Sequence, residues 1–554
     1  MPRIALAQIE ILAGQPARNT EKILHYIEMA KSQHAELVIF PATAISGALI
    51  GDTAFQESFI RDCESCAEEI VGVSSNITII FGNIDEGISK IFVVSDRKFI
   101  PLENSVCNIR FGGKKYRVAC NLNEDFTDAK VDFCVNIASM PFRIGADKIH
   151  DEKFSAQAKA CKCPIIYVNA TGIQNSGKVI YTYEGLSTVY NADGGIVHGL
   201  EPYEEDLSVI ELNDIRRMPE LEVADSEEID EIYSALFYGI EKFTRQINIS
   251  KVVIGVSGGI DSAVAAALYS KVLGSENIYL VNMPSVFNSA TTKNLSEQLA
   301  KNLGCHYAVV PIQESVDFTV NQLNNTSFKR YGQNSSINIS NFVKENIQAR
   351  DRSSRILAAV AASVGGVFTC NANKAETTVG YATLYGDEAG FLCALADLWK
   401  FQVYDLANYL NDMVYESEVI PQGIIDIVPS AELSSAQNVD EGKGDPLKYK
   451  YHDYLFRAFV EDLKTPEDIL TWYLENSLER NIGCKYGLVK KYFPTKEDFV
   501  ADLERWWKLF TGMAVAKRIQ SPPILALSRR AYGEFKESQN PPYFTKEYLE
   551  MVNS

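Results

Sequence analysis

The sequence predicts an α/β protein built from two successive parts, and three observations carry that prediction. The chain has 554 residues, enough for two large domains or about three to four of average size. Its 46% hydrophobic and 23% charged residues are typical of a globular chain with a buried core. Near residue 227 the pattern changes from many short strands with few helices to regular strand–helix alternation. The first pattern is typical of a layered sheet sandwich with covering helices, and the second of a doubly wound parallel sheet.

Residues 1–212 contain the strands of the predicted sandwich. The strand RIALAQI precedes an amphipathic helix, NTEKILHYIEMAKSQ, for which Asn19 is the expected N-cap. Further short apolar runs are predicted as strands: AELVIF, NITIIFGNI, KIFVVSD, YRVACNL, VDFCVNIAS, PIIYVNA, LSTVYNADGG and LSVIELN. Residues 213–226 are polar, contain Pro219 and lack periodicity, so we interpret them as a linker.

Residues 227–554 begin with the predicted helix IDEIYSALFYGIEKFTRQI. The strand KVVIGVS and the helix DSAVAAALYSKVLG follow, and then the strands NIYLVNMPS and HYAVVPI are separated by the helix TKNLSEQLAKNLG. This alternation predicts parallel strands that bind ligands at their carboxyl ends. The polar stretch 324–341 is expected to be a mobile loop.

The net charge of −19 disfavours two classes of partner. An acidic chain repels the phosphate backbone of nucleic acids and anionic lipid surfaces. The start of the chain lacks the basic and apolar regions of a signal peptide, and no apolar run of about 18 residues occurs. We therefore expect a cytoplasmic protein with neither nucleic-acid nor membrane partners.

The cysteine pairs Cys63/Cys66 and Cys161/Cys163 raise the alternative of a zinc-thiolate site. The first pair lies in a helix-like segment, where a spacing of three residues simply marks one face. The second pair precedes an apolar strand, and no histidine is close in sequence to either pair. We therefore expect no metal–thiolate site.

The segment SGGIDS, from Ser257 to Ser262, is the strongest local signal. It turns a buried strand directly into an Ala-rich helix, and Gly258 and Gly259 allow close backbone approach. Free N–H groups at such a helix start favour an oxyanion. No lysine follows the second glycine, so this is not the GxxxxGK[ST] motif. Asp261 is an acid within a phosphate site and is therefore expected to hold a divalent cation.

The SGGIDS string resembles the pyrophosphatase loop of ATP enzymes that form an adenylated intermediate. Downstream strings resemble the core of NAD synthetases: ENIQARDRSSRILAAVA (345–361), NKAETTVGYATLYGDEAG (373–390), DLWKFQVYDLANYLN (397–411), IPQGIIDIVPSAEL (420–433) and KRIQSPP (517–523). The resemblance implies ATP-dependent amidation of deamido-NAD to NAD, with ATP and Mg²⁺ as cofactors, release of AMP and pyrophosphate, and a homo-oligomer.

The resemblance also implies roles for individual residues. Asp261 and Glu376 would bind Mg²⁺ and, with Lys400, form the catalytic set. The implied ATP-binding positions are Gly255, Ser257, Gly258, Gly259, Asp261, Ser262, Asn371, Lys400 and Ser430. The implied substrate-binding positions are Arg350, Lys374, Tyr385, Asp387, Lys517 and Arg518. Asn371–Lys374 reads Asn-Ala-Asn-Lys where the family usually has Thr-Gly-Asn-Lys, which implies altered affinity rather than loss of activity.

Residues 1–212 resemble the nitrilase-like glutaminase domain of many NAD synthetases, which implies an α-β-β-α sandwich. The matching strings are RIALAQIE, AELVIFPATAISG, VNIASMPF and YNADGGIV. The family uses a Glu base, a Lys and a Cys nucleophile. Ala42 stands at the glutamate position, Asn123 at the cysteine position, and residues 99–113 contain no lysine. The resemblance therefore implies a pseudo-glutaminase that depends on ammonia.

Cys120 and Cys134 are the remaining thiols in neighbouring strands. Positions 120 and 123 face opposite sides of a strand, so Cys120 is expected to be a small packing residue, as is Cys134. An alternative keeps glutamine hydrolysis through rearranged residues. The retained SGGIDS string, Glu376 and Lys400 disfavour the alternative of a scaffold protein whose sites have decayed. The acidic net charge disfavours the alternative of a tRNA-modifying enzyme.

Overall fold

The computed structural model describes residues 2–85, 87–122, 126, 130–221, 227–532 and 541–554. The chain divides into an amino-terminal unit, Met1–Ser176 with Ile180–Lys242, and a carboxy-terminal unit, Gly177–Val179 with Phe243–Ser554. The predicted linker 213–226 includes residues 222–226, which lie outside the described residues, so the domain boundaries stay predictions. None of the described helices combines the length and the apolar character needed to span a bilayer.

The strands and helices have the following bounds. The strands are β1 Arg3–Gln8, β2 Leu37–Ile39, β3 Thr78–Asp85, β4 Ile88–Ser95, β5 Lys98–Phe99, β6 Val106–Phe111, β7 Lys114–Leu122, β8 Phe133–Ile137, β9 Ile165–Val168, β10 Thr171–Ser176, β11 Val179–Glu184, β12 Thr188–Tyr190, β13 Ile196–Gly199, β14 Asp206–Glu211, β15 Val252–Gly255, β16 Ile278–Asn282, β17 His306–Val309, β18 Ser327–Arg330, β19 Gln333–Ser336, β20 Val367–Phe368 and β21 Ile524–Ala526. The helices are α1 Pro16–Ser32, α2 Glu57–Val73, α3 Ala146–Cys161, α4 Glu228–Gln246, α5 Ile260–Leu273, α6 Ala290–Leu303, α7 Gln313–Asn324, α8 Asn341–Arg350, α9 Ala358–Val364, α10 Lys374–Val379, α11 Lys400–Tyr409, α12 Gln422–Asp426, α13 Tyr449–Val460, α14 Pro466–Leu474, α15 Leu478–Ile482, α16 Leu488–Tyr492, α17 Lys496–Thr511, α18 Met513–Gln520 and α19 Lys546–Asn553.

The amino-terminal unit contains the two stacked sheets that the sequence predicts. One sheet has the strand order β14-β1-β2-β3-β4-β5, and the other has the order β13-β12-β9-β8-β7-β6. A single apolar cluster joins them, with Ile4 and Ile80 from the first sheet packed with Val135 and Ile166 from the second. The core therefore lies between the sheets, as in a β-sandwich.

Side chains alternate across β7 and β8 with the period of two that a strand imposes. Val118 and Cys120 belong to the core between the sheets, whereas Ala119 and Cys134 belong to a second cluster with Phe154 of α3. Both cysteines are buried, as predicted for packing residues. The neighbouring Cys107 thiol and burial raise the pKa of Cys120, which disfavours a thiolate there.

The carboxy-terminal unit contains the predicted parallel sheet, with the strand order β17-β16-β15-β20. Each neighbouring pair is parallel, and Val252 of β15 pairs with Ile278 of β16 and Val367 of β20. Helices α5 and α6 connect strands of this sheet, as the alternating pattern predicts. The carboxyl end of the central strand β15 leads directly into α5.

Two local expectations are wrong. Helix α1 begins at Pro16, and Asn19 lies inside it as a buried residue rather than as the N-cap. The Asn19 side chain instead holds neighbouring backbone, accepting from Leu12 N at 2.9 Å and donating to Ile45 O at 2.8 Å. The stretch 324–341 is not only loop, because it contains the exposed antiparallel hairpin β18–β19.

The Cys63 and Cys66 pair lies on helix α2, where both side chains are buried. This is the helical face that their spacing predicts. Cys163 follows α3, and its Sγ lies 3.6 Å from Cys134 Sγ. These thiols therefore serve as packing residues of the amino-terminal unit.

The Glu184 carboxyl, at the end of β11, yields a pH prediction. Its pKa is raised from 4.5 to about 8 by burial and by the negative charges of Asp147, Glu231 and Asp151. Between these values the folded protein keeps a proton that the unfolded chain has released, so the free energy of unfolding falls as pH rises through this window. Glu184→Gln should therefore increase the melting temperature more at pH 8 than at pH 5. Glu21→Gln, on the exposed face of α1, is the control. The same effect of Glu184→Gln at both pH values would contradict this electrostatic account.

Candidate active site

The loop between β15 and α5 is held in shape by its own hydroxyl groups. Gly259 N donates to Ser257 Oγ at 3.2 Å, and Ser262 Oγ donates to Gly259 O at 3.0 Å. The Ser257 N–H also points to Ser262 Oγ, at 3.4 Å. The free N–H groups at the start of α5 remain available to an anion, as the sequence predicts.

Gly258 is required by close approach as well as by conformation. Its φ of +84° lies in the left-handed region, and a Cβ atom there would overlap the carbonyl oxygen of Thr292 in α6. The loop therefore packs against α6 with no room for a side chain. This close contact fixes the position of the loop relative to the sheet.

A cavity of about 270 Å³ opens beside this loop. All nine predicted ATP-binding positions line it, and so does Glu376, a predicted Mg²⁺ ligand. The nine positions are Gly255, Ser257, Gly258, Gly259, Asp261, Ser262, Asn371, Lys400 and Ser430. Asp387, predicted to bind the dinucleotide, lines the same cavity. The structure thus brings together residues that are up to 175 positions apart, from 255 to 430.

Lys400 lies at the centre of the charged groups in this cavity. Its Nζ is 2.5 Å from Asp261 Oδ2 and 3.9 Å from Glu376 Oε1. It also lies 4.9 Å above the ring of Tyr449, whose hydroxyl donates to Glu376 Oε1 at 3.2 Å. The three predicted catalytic side chains therefore form one cluster.

Electrostatic effects within this cluster oppose one another. Burial alone would lower the pKa of Lys400, but the carboxylates of Asp261 and Glu376 outweigh burial and raise it. Burial and the negative charge of Asp261 raise the pKa of Glu376, although Lys400 opposes that shift. A second cation entering the cavity would favour the charged form of both carboxylates.

The two carboxylates fit a divalent cation. Asp261 and Glu376 approach one shared positive charge, and their oxygens are the ligand type that Mg²⁺ prefers. No group of three or more histidine, cysteine, aspartate or glutamate side chains in the described ranges is arranged to hold a metal ion. A Mg²⁺ ion held here would thus take its other ligands from water and phosphate, as this ion commonly does.

Asn373 is a functional neighbour that the sequence reasoning missed. It forms a capping box with Glu376 at the start of α10, and its Nδ2 donates to Asp261 Oδ1 at 3.0 Å. It therefore positions both carboxylates at once. The signal was available, because Asn373 precedes Lys374 inside a matched string. Asn371, two residues earlier, donates weakly to Gly255 O at 3.4 Å and lines the cavity.

Two predicted substrate residues lie in the protein interior instead of in this cavity. Lys374 is fully buried, and its Nζ pairs with Asp397 at 2.8 Å and Glu461 at 2.9 Å. Arg518 is 2% exposed and donates to the Thr378 carbonyl at 2.6 Å, near the end of α10. Because protein groups satisfy both cations, their contacts here are structural.

The other three predicted substrate residues also lie outside the cavity lining. Lys517 Nζ donates to the carbonyls of Gly380 at 2.6 Å and Ala382 at 2.5 Å. Arg350 Nε donates to Leu384 O at 3.1 Å, and its guanidinium lies 5.8 Å from the ring of Tyr385. Tyr385 itself is 63% exposed. A substrate role for these residues stays a prediction.

Further cavity residues were not predicted from the sequence. Arg352, Asn282, Tyr381 and Asp445 line the cavity, and Tyr381 donates to Asp445 Oδ1 at 3.0 Å. Arg352 stands two residues after Arg350 in the string ARDR. Sequence alone could not show which arginine turns inward.

The amino-terminal unit places Ala42 in the core between its sheets. Ala42 is 4% exposed, and its N–H donates to Ala138 O at 3.1 Å. Its methyl group offers no acid–base chemistry. Asn123, at the predicted nucleophile position, lies outside the described residues.

The close contact at Gly258 yields a stability prediction with a matched control. Gly258→Ala must accommodate both a left-handed backbone and the overlap with Thr292, whereas Gly365→Ala has φ +71° and no atom within 4 Å. The left-handed backbone costs an alanine roughly 1–2 kcal/mol of stability in both variants. Gly258→Ala should therefore lose more stability in urea unfolding and also lose affinity for MgATP. Equal losses of stability in Gly258→Ala and Gly365→Ala would show that the close packing of the loop against Thr292 is unimportant.

The part of the chain that contains this site is similar to known proteins. Residues 232–486 match the family model described as NAD synthase. The glutamine-dependent NAD(+) synthetase of Synechocystis sp. is 29% identical, over 96% of this chain and 97% of its own. The structure of a glutamine-dependent NAD(+) synthetase from Cytophaga hutchinsonii has a TM-score of 0.76 at 16% identity, covering 100% of this chain and 99% of that one. The structure of the glutamine-dependent NAD+ synthetase from Acinetobacter baumannii in complex with ADP has a TM-score of 0.68 at 24% identity. The match covers 97% of this chain and 98% of that one.

The two solved structures confirm the predicted fold class, a nitrilase-like sandwich followed by a doubly wound parallel-sheet domain. The relative matches along almost the whole chain, so the similarity includes both halves. The domain match and the relatives also confirm the predicted enzyme class. The chain is thus similar to glutamine-dependent NAD(+) synthetases over almost its whole length, and residues 232–486 match the NAD synthase family model.

Proposed function

We propose that this chain amidates deamido-NAD to NAD at the expense of ATP, through an adenylated intermediate and with release of AMP and pyrophosphate. The cluster of Lys400, Asp261 and Glu376 beside the SGGIDS loop is the observation that carries the proposal. A carboxylate that attacks the α-phosphorus needs cationic groups around the phosphates, and this cavity supplies them. The similarity to NAD synthetases supports the same reaction.

The residues of the cavity have distinct tasks in this reaction. The loop N–H groups and the start of α5 bind phosphate oxygens. Lys400 neutralises phosphate charge, and Asn373 keeps Asp261 and Glu376 in place. Asp261 and Glu376 would hold Mg²⁺, which when bound withdraws charge from the phosphate oxygens.

The nitrogen donor has two candidates, and the relatives favour glutamine. The full-length relatives are named glutamine-dependent NAD(+) synthetases, and their similarity extends over the amino-terminal half. The expectation that ammonia is the main donor is not confirmed. Glutamine hydrolysis by this chain would need catalytic residues other than Ala42 and Asn123.

Ammonia remains the second candidate because of one specific observation. Ala42 replaces the family glutamate and is enclosed in the apolar core of the amino-terminal unit. A methyl group cannot accept the proton of a thiol nucleophile. Cys120 does not supply an alternative nucleophile readily, because its thiol is buried with a raised pKa.

A product assay tests the function and separates the two donors. Purified protein with deamido-NAD and MgATP should form NAD and AMP when ammonium is supplied, because the synthetase site is the same for either donor. No NAD with either donor would contradict the proposed function. Glutamine-driven synthesis in ammonium-free buffer, at a comparable rate, would establish glutamine as a donor. Failure with glutamine alone would establish ammonia, and Asn123→Cys alone should not restore glutamine use.

Removal of Asp261 tests the proposed metal and phosphate chemistry. Asp261→Ala deletes one Mg²⁺ ligand and the 2.5 Å partner of Lys400. Pyrophosphate release with deamido-NAD should fall by an amount equivalent to several kcal/mol of transition-state stabilisation. The matched control is Asp317→Ala, an exposed acid on α7. Near-normal pyrophosphate release by a folded Asp261→Ala protein would rule out the assignment.

A further inference from the structure

Arg352 lies in a segment where the helix changes from α-helical to π-helical geometry. Helix α8 ends at Arg350, and residues Asp351–Leu357 continue as a π-helix before α9 begins. Such segments are rare and are often found at functional sites, because the wider turn redirects side chains. Arg352, Ser353 and Leu357 of this segment line the cavity that contains the SGGIDS loop.

The Arg352 guanidinium is only partly engaged by the protein. Its Nε donates to Met283 O at 3.1 Å, and its Nη2 donates to Asn288 Oδ1 at 3.2 Å. Among the described residues, no carboxylate lies within ion-pair distance of it, and Nη1 makes no hydrogen bond. Burial lowers the pKa of Arg352 to about 10, which still leaves it charged at neutral pH. A half-buried cation without a direct counter-ion favours binding of an anion.

A buried network connects Arg352 to the phosphate loop. Asn288 Nδ2 donates to Glu432 Oε2 at 3.3 Å, and Glu432 also accepts from Thr292 Oγ1 at 2.7 Å. Glu432 is 2% exposed. Thr292 is the residue against which Gly258 packs. The guanidinium is therefore held in a fixed position relative to the loop.

The neighbouring arginines are already engaged elsewhere. Arg355, on the same π-helical segment, makes two bonds to Asp351 at 2.5 and 2.6 Å and is about half exposed. Arg350 donates to a carbonyl and lies outside the cavity lining. Of these three arginines, Arg352 alone combines a place in the cavity with N–H groups that the protein leaves open.

We propose that Arg352 is a further substrate-binding residue that contacts the polyphosphate of ATP, and the pyrophosphate formed from it, in the cavity beside the SGGIDS loop. The planar guanidinium can bind two phosphate oxygens at once, which a lysine cannot reproduce. The inference rests on the proposed use of ATP at this site. It adds a fixed guanidinium to the cationic contribution of Lys400.

The test measures binding directly, so it does not depend on turnover. Isothermal titration calorimetry with MgATP and with magnesium pyrophosphate would compare the full-length wild type with Arg352→Met, Arg352→Lys and Arg355→Met. We expect at least a tenfold weaker affinity for both ligands in Arg352→Met and an intermediate loss in Arg352→Lys. Arg355→Met should bind like the wild type, because its side chain lies outside the cavity.

Two results would overturn the inference. One is wild-type affinity for MgATP and pyrophosphate in either folded Arg352 variant. The other is a loss of affinity matched by a large fall in melting temperature in both Arg352 variants, which would show that the arginine only ties the Met283 and Asn288 segments together. A wild type that binds MgATP but does not amidate deamido-NAD would disprove the proposed function and leave this binding result valid.

Discussion

The shared contact of Lys400 with Asp261 and Glu376 is the interaction on which the site depends. Each of the three side chains comes from the start of a different helix: α5, α10 and α11. The ammonium group offsets the repulsion between two carboxylates that would otherwise be costly to place together in a buried cavity. The positions of the three helix starts are therefore coupled to one another by charge as well as by packing.

The surrounding structure keeps these helix starts in place by hydrogen bonds to backbone. Asn373 and Glu376 cap α10, and Asp453 accepts from Phe401 N at 3.0 Å near the start of α11. At the other end of α10, Arg518 donates to the Thr378 carbonyl. The buried pairing of Lys374 with Asp397 and Glu461 anchors the same helix. Residues near the cavity thus divide into a group that faces it and a group that supports it.

The sequence could predict the features that depend on local order. The strand–loop–helix context of SGGIDS needs only neighbouring residues, and the position of Gly258 follows from the loop it forms. The matched strings also selected Glu376 and Lys400, and both side chains line the cavity. They could not distinguish Arg352 from Arg350, or a buried ion pair of Lys374 from a ligand contact, because the same residue types serve both purposes. The prediction that Asn19 caps α1 was wrong for a similar reason, because its side chain donates to the backbone of a distant loop at Ile45.

The burial of Ala42 limits which side chains this position can accept. Its neighbours form the apolar core between the two sheets, and the residue has almost no contact with solvent. A glutamate introduced there would place a carboxylate in apolar surroundings, at a cost of several kcal/mol unless it gained a partner. A glutamate at position 42 would therefore lower the stability of the amino-terminal unit unless residues of the surrounding core changed with it, so catalytic chemistry could not be restored there by one substitution alone.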